Sequence, residues 1–435
     1  MTTGAYTSIT RALVAFIWIS LCSCSSAHAA ESPYLFGDWD GSRTRLADKG
    51  LVFDIGYDSE IAHNFSGGTR RLTRYADQWK LGANLDLESL WGWRGSRFQI
   101  VYTQRNGRDL GADAQIGNNQ LLQEVYGRGQ TLHLTVLALG QSFLDGRLDW
   151  RIGRLPVGED FHQFSCNFQN LTFCGAQPGS IVGDYWVNWP TSQWATRLKL
   201  NTTESTYVQI GAYQVNPKYV DDGYARRNGW KPDFPDGTTG VLIPLEFVWK
   251  PQFNGRAGNY KVGAWYSSAE GSDLYWDRHR QPIALSDGEP LQHSHRDGAY
   301  LSFQQKISGT GDSGATVFLN VTQADRDTSA TDRQIALGVQ YQGLFGRAED
   351  SAGFAVGATH ANGRAADHQR LYNQLHPANA GPVMDGNEYV AEVFYGWRPL
   401  SSVTLRPNLQ YVRHPGGNRE HDNALVFGLK SSIAF

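Results

Sequence analysis

The stretch ALVFGLKSSIAF, Ala424 to Phe435, decides the fold. Leu425, Phe427, Leu429, Ile433 and Phe435 share one parity, and Val426, Gly428, Lys430, Ser432 and Ala434 stand between them. A period of two belongs to a β-strand with one apolar face. The last residue still belongs to the pattern. Most domains close in a few loose polar residues. An aromatic on the final step of a strand is therefore expected to serve the end of that strand.

The pattern recurs upstream. Val403, Leu405, Leu409 and Tyr411 alternate with Thr404, Arg406, Asn408 and Gln410. Tyr389, Ala391, Val393, Tyr395 and Trp397 alternate with Glu388, Val390, Glu392 and Phe394. Ile335 to Tyr341 and Ala315 to Val321 behave alike. A soluble β-sandwich also alternates. Two details favour a membrane barrel: the apolar rows often end in Tyr or Trp, and the other parity carries Arg, Glu, Gln and Lys. The first suits an interfacial girdle and the second a wet lumen.

Composition agrees. The 435 residues include 48 Gly, 14 Trp, 20 Tyr and 20 Phe, yet only 19% are charged. Mean hydropathy is -0.44. Aromatic, Gly-rich and polar on average describes a chain whose outside is apolar and whose inside is wet. A net charge of -3 is too small to suggest nucleic acid.

Arg11 is followed by ALVAFIWISLC, Ala12 to Cys22, and then by Ala27, His28, Ala29 and Ala30. That is a secretory signal with an A-x-A site, and the apolar run falls short of the ~20 residues a membrane helix needs. Residues 1–30 are expected to be the signal peptide and 31–435 one barrel domain, since no shift in composition marks a second. Cys22 and Cys24 leave with the signal. Cys166 and Cys174 remain, and two cysteines in an exported chain read as one disulfide. Neither they nor His162 have the spacing of a metal site, and His293 to His295 read as loop residues. No cofactor is expected.

Asp38 to Lys49 reads as a short helix, capped by Asp38 or Asp40 and ended by Gly50. Everything later reads as strands and turns. Two linkers are long: Leu155 to Trp194, which holds the cysteines, and Val215 to Gly240.

Four stretches carry a resemblance. FGDWDGSRTRLADKG from Phe36, GRLPVGEDF from Gly153, CNFQNLTFCG from Cys166, and NLQYVRHPGGNREHDNALVFGLKSSIAF at the end together resemble the carbohydrate-selective porin family OprB. The resemblance implies an all-β fold, a transmembrane antiparallel barrel of about sixteen strands. It implies inward-folded loops that narrow the pore, an outer-membrane location and passive sugar uptake into the periplasm. Phe435 then looks like the terminal signal by which such barrels are recognised for assembly. The partners implied are a carbohydrate solute, outer-membrane lipid and the barrel-assembly machinery; a homo-oligomer stays open. DYWVNWP, Asp184 to Pro190, is richer in aromatics than the family pattern suggests, and leaves the sugar open.

A sugar pore needs a neck near the solute's width, aromatic faces for C–H surfaces, and groups that replace water around hydroxyls. The candidates for that constriction are Arg105, Glu124, Arg154, Asp160, Arg197 and Trp194, with Trp186 and Trp189 as further stacking faces. Arg197 lies on the opposite parity from Trp194 and Leu198, which turns it to the lumen. An outer-membrane barrel enzyme, such as a lipase or protease, and an exported glycan-binding β-protein are the rival readings. No catalytic set of residues rises above chance.

Overall fold

The computed structural model describes residues 32–435. The signal peptide expected at 1–30 lies outside them. The barrel strands begin with β1 (Leu51–Asn64), β2 (Thr73–Asp86), β3 (Ser96–Gly107) and β4 (Leu132–Phe143). Next come β5 (Leu148–Leu155), β6 (Gln193–Asn201), β7 (Thr206–Val215) and β8 (Gly240–Trp249). Then β9 (Arg256–Ser267), β10 (Arg296–Lys306), β11 (Gly314–Ala324) and β12 (Thr331–Leu344). The last are β13 (Arg347–Ala361), β14 (Asn387–Leu400), β15 (Val403–Arg413) and β16 (Ala424–Ala434).

Each strand pairs antiparallel with the next. The last strand returns to the first, from Gly56 opposite Ala434 to Asn64 opposite Val426. Sixteen strands thus close a ring. Closure leaves no unpaired edge, which is what allows a sheet to sit in lipid. The alternation read from the sequence decides the faces. Ile335, Leu337, Val393, Trp397, Leu409 and Phe427 point outward and are exposed, whereas Gln334, Glu388, Glu392, Gln410 and Lys430 point inward and are buried.

Connections alternate in length. Residues 144–147, 202–205 and 345–346 are tight turns at one end; 156–192, 216–239 and 362–386 are long loops at the other. Short turns face the periplasm and long loops the exterior. Phe435 lies at the short-turn end, where its N–H donates to Ile55 O (3.0 Å) and its ring packs on Phe36 and Trp79, centroids 5.2 and 5.5 Å away.

The N-terminal helix, α1 (Ser42–Asp48), starts later than the sequence suggests. Asp38 does serve its first turn, by accepting from Thr44 N (2.9 Å) and Thr44 Oγ1 (2.8 Å). Gly50 ends it with a positive φ of 91°, where a Cβ would stand 2.9 Å from Asp86 O. The expectation of strands and turns alone after Gly50 is corrected by the loops, which carry α2 (Asp222–Asn228) and α3 (Gly363–Leu375). The signals of α3 were local: Ala, Arg, Gln and Leu favour a helix, and Asn362 caps it by accepting from Arg364 N at 3.0 Å.

Candidate constriction

Two loops fold into the lumen, residues 108–131 between β3 and β4, and residues 156–192 between β5 and β6. Inward-pointing glutamates of the wall hold them by the backbone. Glu388 accepts from the N–H groups of Asn119, Gln120 and Gly416. Glu392 accepts from Gln169 N and Asn170 N, both at 2.8 Å. Glu246 takes His162 N at 2.8 Å, and Glu60 takes Val125 N at 3.3 Å. A carboxylate that accepts paired N–H bonds stabilises backbone groups that inward-folded loops would otherwise leave unsatisfied.

Aromatic side chains fill the space between loop and wall. Phe164, Phe168 and Phe173 pack against Phe318 and Phe394 on one side. Phe161, Tyr185 and Trp186 pack against Tyr213, Trp265 and Tyr300 on another. The wall makes room with small residues: at Gly357 a Cβ would come within 2.6 Å of Thr172 Cγ2. His162 belongs to this filling. Its ring lies 4.7 Å from that of Tyr300, and burial pushes its pKa down to about 3, so it stays neutral. Cys166 and Cys174 are joined in a disulfide within the β5–β6 loop, as expected.

The filling leaves an open cavity of about 710 Å³ against β1, β2, β3 and β16. Asp58, Gln78, Arg105, Glu124, Trp189 and Lys430 line it, together with both cysteines. Arg105 is 4% exposed. Its Nε donates to Gln78 Oε1 (2.9 Å), its Nη1 to Tyr126 O (3.0 Å), and its Nη2 stands 3.9 Å from Glu124 Oε2. Lys430 Nζ reaches Glu124 Oε1 at 2.7 Å and Glu60 Oε1 at 3.3 Å, and donates to Phe168 O at 3.1 Å. Two cations and two anions therefore meet in one tier of ion pairs. Trp189 Nε1 donates to Gln78 Oε1 (2.9 Å), fixing its ring at the same level.

A second tier lies nearer the periplasm. Asp160 accepts from Arg151 Nη1 at 2.8 Å and stands 3.5 Å from Arg197 Nε. Arg197 Nη1 also pairs with Asp149 Oδ1 at 2.6 Å, and Arg97 pairs with the same carboxylate. The structure thus groups four expected residues into two mixed-charge tiers, Arg105 with Glu124 and Asp160 with Arg197.

The other two are elsewhere. Arg154 and Trp194 are directly paired across β5 and β6, on the parity of the exposed Ile152 and Leu198 and opposite to Arg151 and Arg197. The loop between β7 and β8 covers them. Arg154 lies over the Tyr219 ring (4.9 Å) and donates to Ser192 O (2.9 Å); Trp194 Nε1 donates to Asp233 O (2.8 Å). Neither lines the neck, which corrects the expectation for both. Of the three tryptophans only Trp189 borders the cavity; Trp186 is fully buried in the filling. Sequence reasoning did not single out Lys430 or Glu60. Their signal was an acid and a base on the inward parity of β1 and β16, the two strands that close the ring.

A closed barrel of sixteen strands, narrowed by inward loops to one charged passage, defines a porin. The chain matches the description "Carbohydrate-selective porin, OprB family" over residues 70–435 and belongs to that family. It is 40% identical to Porin B of Pseudomonas aeruginosa over 434 residues, covering 94% of each chain. It is 32% identical to the putative porin QuiX of Acinetobacter baylyi, covering 92% of this chain and 93% of that one. The structure of Pseudomonas putida OprB at high pH superposes with a TM-score of 0.90 at 40% identity, covering 94% of this chain and all of that one. The protein is a multi-pass outer-membrane porin for carbohydrate.

Proposed function

We propose that neutral mono- or oligosaccharides diffuse passively past the tier of Arg105, Glu124, Glu60 and Lys430 and then past the tier of Asp160 and Arg197. The observation that carries this reading is the internal pairing of charges at the neck. A ring of one sign would select ions, whereas balanced donors and acceptors offer hydroxyls partners without drawing in a charged solute. Trp189 gives the flat face on which a sugar's C–H surface can rest. The passage is complete within one chain, because the sixteen strands close on themselves.

We read the protein as a channel without catalytic activity. The buried carboxylates of the wall are engaged with loop N–H groups or with cations, which leaves them poorly placed as free acids or bases. The exposed apolar outer rows fit lipid and speak against a soluble glycan binder. The partner that inserts the barrel would read the strand ending in Phe435. The deciding experiment is a planar-bilayer current measured with and without glucose. Concentration-dependent block of the ion current is expected; a current indifferent to sugar would overturn the reading.

A further inference from the structure

The lipid-facing columns of β14 and β15 end in an order that the membrane interface explains. On β15, Leu405, Pro407, Leu409, Tyr411 and Arg413 succeed one another outward along one face. This runs from hydrocarbon through an aromatic to a cation at the exterior rim. On β14, Tyr389 sits directly opposite Arg413. Above them the loop between β15 and β16 brings Arg419 to the same place. The residues enclose an open recess of about 800 Å³ on the outside of the wall, lined by His360, Asp385, Tyr389, Tyr411, Arg413 and Arg419 among others.

The charges in this recess do not balance. Asp385 is paired with Arg370 of α3, and His360 Nδ1 is bonded to Asp332 Oδ1 at 2.6 Å. Among the described residues neither Arg413 nor Arg419 has a carboxylate within 4.0 Å, and both are exposed. Glu420 and Asp422, further along the loop, do not line the recess. Arg333, at the outer end of β12 and in register with His360 of β13, is likewise exposed and free of an acid partner among the described residues. The rim thus presents unpaired guanidinium groups where the outer leaflet's headgroups lie, and a guanidinium matches a phosphate in both charge and geometry.

We propose that this recess holds the phosphate-bearing headgroup of an outer-leaflet glycolipid. Arg413 and Arg419 bind the phosphate, and Tyr389 and Tyr411 lie against the sugar ring and the upper acyl chain. Aromatic and basic side chains at one depth are the usual anchors of a protein to an anionic interface. The site lies outside the barrel and is independent of the sugar path.

The test uses the full chain, purified in detergent, and native mass spectrometry with an acylated glucosamine disaccharide bisphosphate as probe. The same lipid stripped of phosphate and inorganic phosphate alone are the comparison arms. The wild type should retain the phosphorylated lipid about tenfold more tightly than the stripped one, and the doubly substituted Arg413→Ala/Arg419→Ala chain should lose about that factor. Arg256→Ala, at the periplasmic end of β9, should bind as the wild type. Equal retention of both lipids by the wild type, or unchanged binding by the folded double variant, would overturn the proposal. So would displacement of the lipid by an equal concentration of inorganic phosphate, which would assign the recess to the free ion. The comparison of the two lipids on the wild type decides the matter even if the double variant does not fold.

Discussion

Lys430 Nζ lies 2.7 Å from Glu124 Oε1, so a wall residue of the last strand is bonded to an inward loop that leaves the barrel after β3. The same ammonium is 3.3 Å from Glu60, which is 0% exposed. Removing it would strand two carboxylates. Lys430→Met should therefore destabilise the protein by a few kcal/mol, as loss of one partner of a buried pair does. The neck should also become more cation-selective. The reversal potential across a salt gradient measures the second effect; an unchanged potential would place Lys430 outside the ion path.

Arg105→Ala removes the cation facing Glu124 and the donor that holds Gln78. Small-ion conductance should rise because the neck widens, and sugar block should weaken. Arg154→Ala makes the comparison, since Arg154 lies beneath the β7–β8 loop. It should leave conductance and sugar block as they are. Equal effects of the two substitutions in single-channel recordings would contradict the geometry.

Cys166 and Cys174 close a short loop, separated by 8 positions. A bridge of that length restricts the unfolded chain by only about 2–3 kcal/mol, small beside a ring of sixteen strands. The double Cys→Ser variant, or the reduced wild type, should keep the barrel's heat resistance while its open-channel current becomes noisier. The bridge borders the passage, so the noise reports loop motion.

Phe435 is expected to matter for assembly. Its backbone N–H and its ring connect the last strand to β1 and to the girdle residues Phe36 and Trp79. Deleting it should lower the amount of folded protein in the outer membrane, read as the heat-modifiable band on an unboiled gel. Wild-type amounts of folded protein would leave Phe435 as an ordinary strand residue.

Outside the wall, Asp273 of the β9–β10 loop binds Arg364 of α3 at 2.5 and 2.6 Å, and His293 at 2.9 Å. Burial alone would raise its pKa. N–H bonds from Trp276 and Tyr275, with His293 and Arg364, outweigh burial and hold it at about 2. A pKa depressed in the folded state gives stability that is present above the ordinary aspartate value of ~3.9 and lost on acidification towards 2. Hydrogen exchange of residues 268–295 and 362–375 should accelerate across that window. Asp273→Asn should show the faster exchange already at neutral pH.

Much of the barrel was legible because a strand's period of two leaves its mark on every residue. Glu388, Glu392 and Lys430 could be assigned to the inside from parity alone. Parity also held the answer for Arg154 and Trp194: Trp150 and Ile152 share the face of the first, Leu198 and Leu200 that of the second. A charge does not by itself place a residue in the lumen. A loop folded over the outer face shelters a cation equally well. What no local pattern contains is the encounter of Lys430 with Glu124, which depends on how far a loop reaches across the lumen. The same holds for Glu392 and the N–H groups of Gln169 and Asn170.

The aromatic filling between the β5–β6 loop and the wall has a consequence for how such a channel can be altered. Strand number fixes the circumference of a barrel. Here the bore is set instead by an insert that occupies part of a wider sleeve. Phe168, Phe173, Trp186 and Tyr300 do not border the passage, yet their volumes determine how far the insert stands off from β1 to β3. Trimming one of them should enlarge the opening without touching a polar group, and filling it further should narrow the opening. Calibre and chemical preference are thus separable properties of this chain, written in different residues.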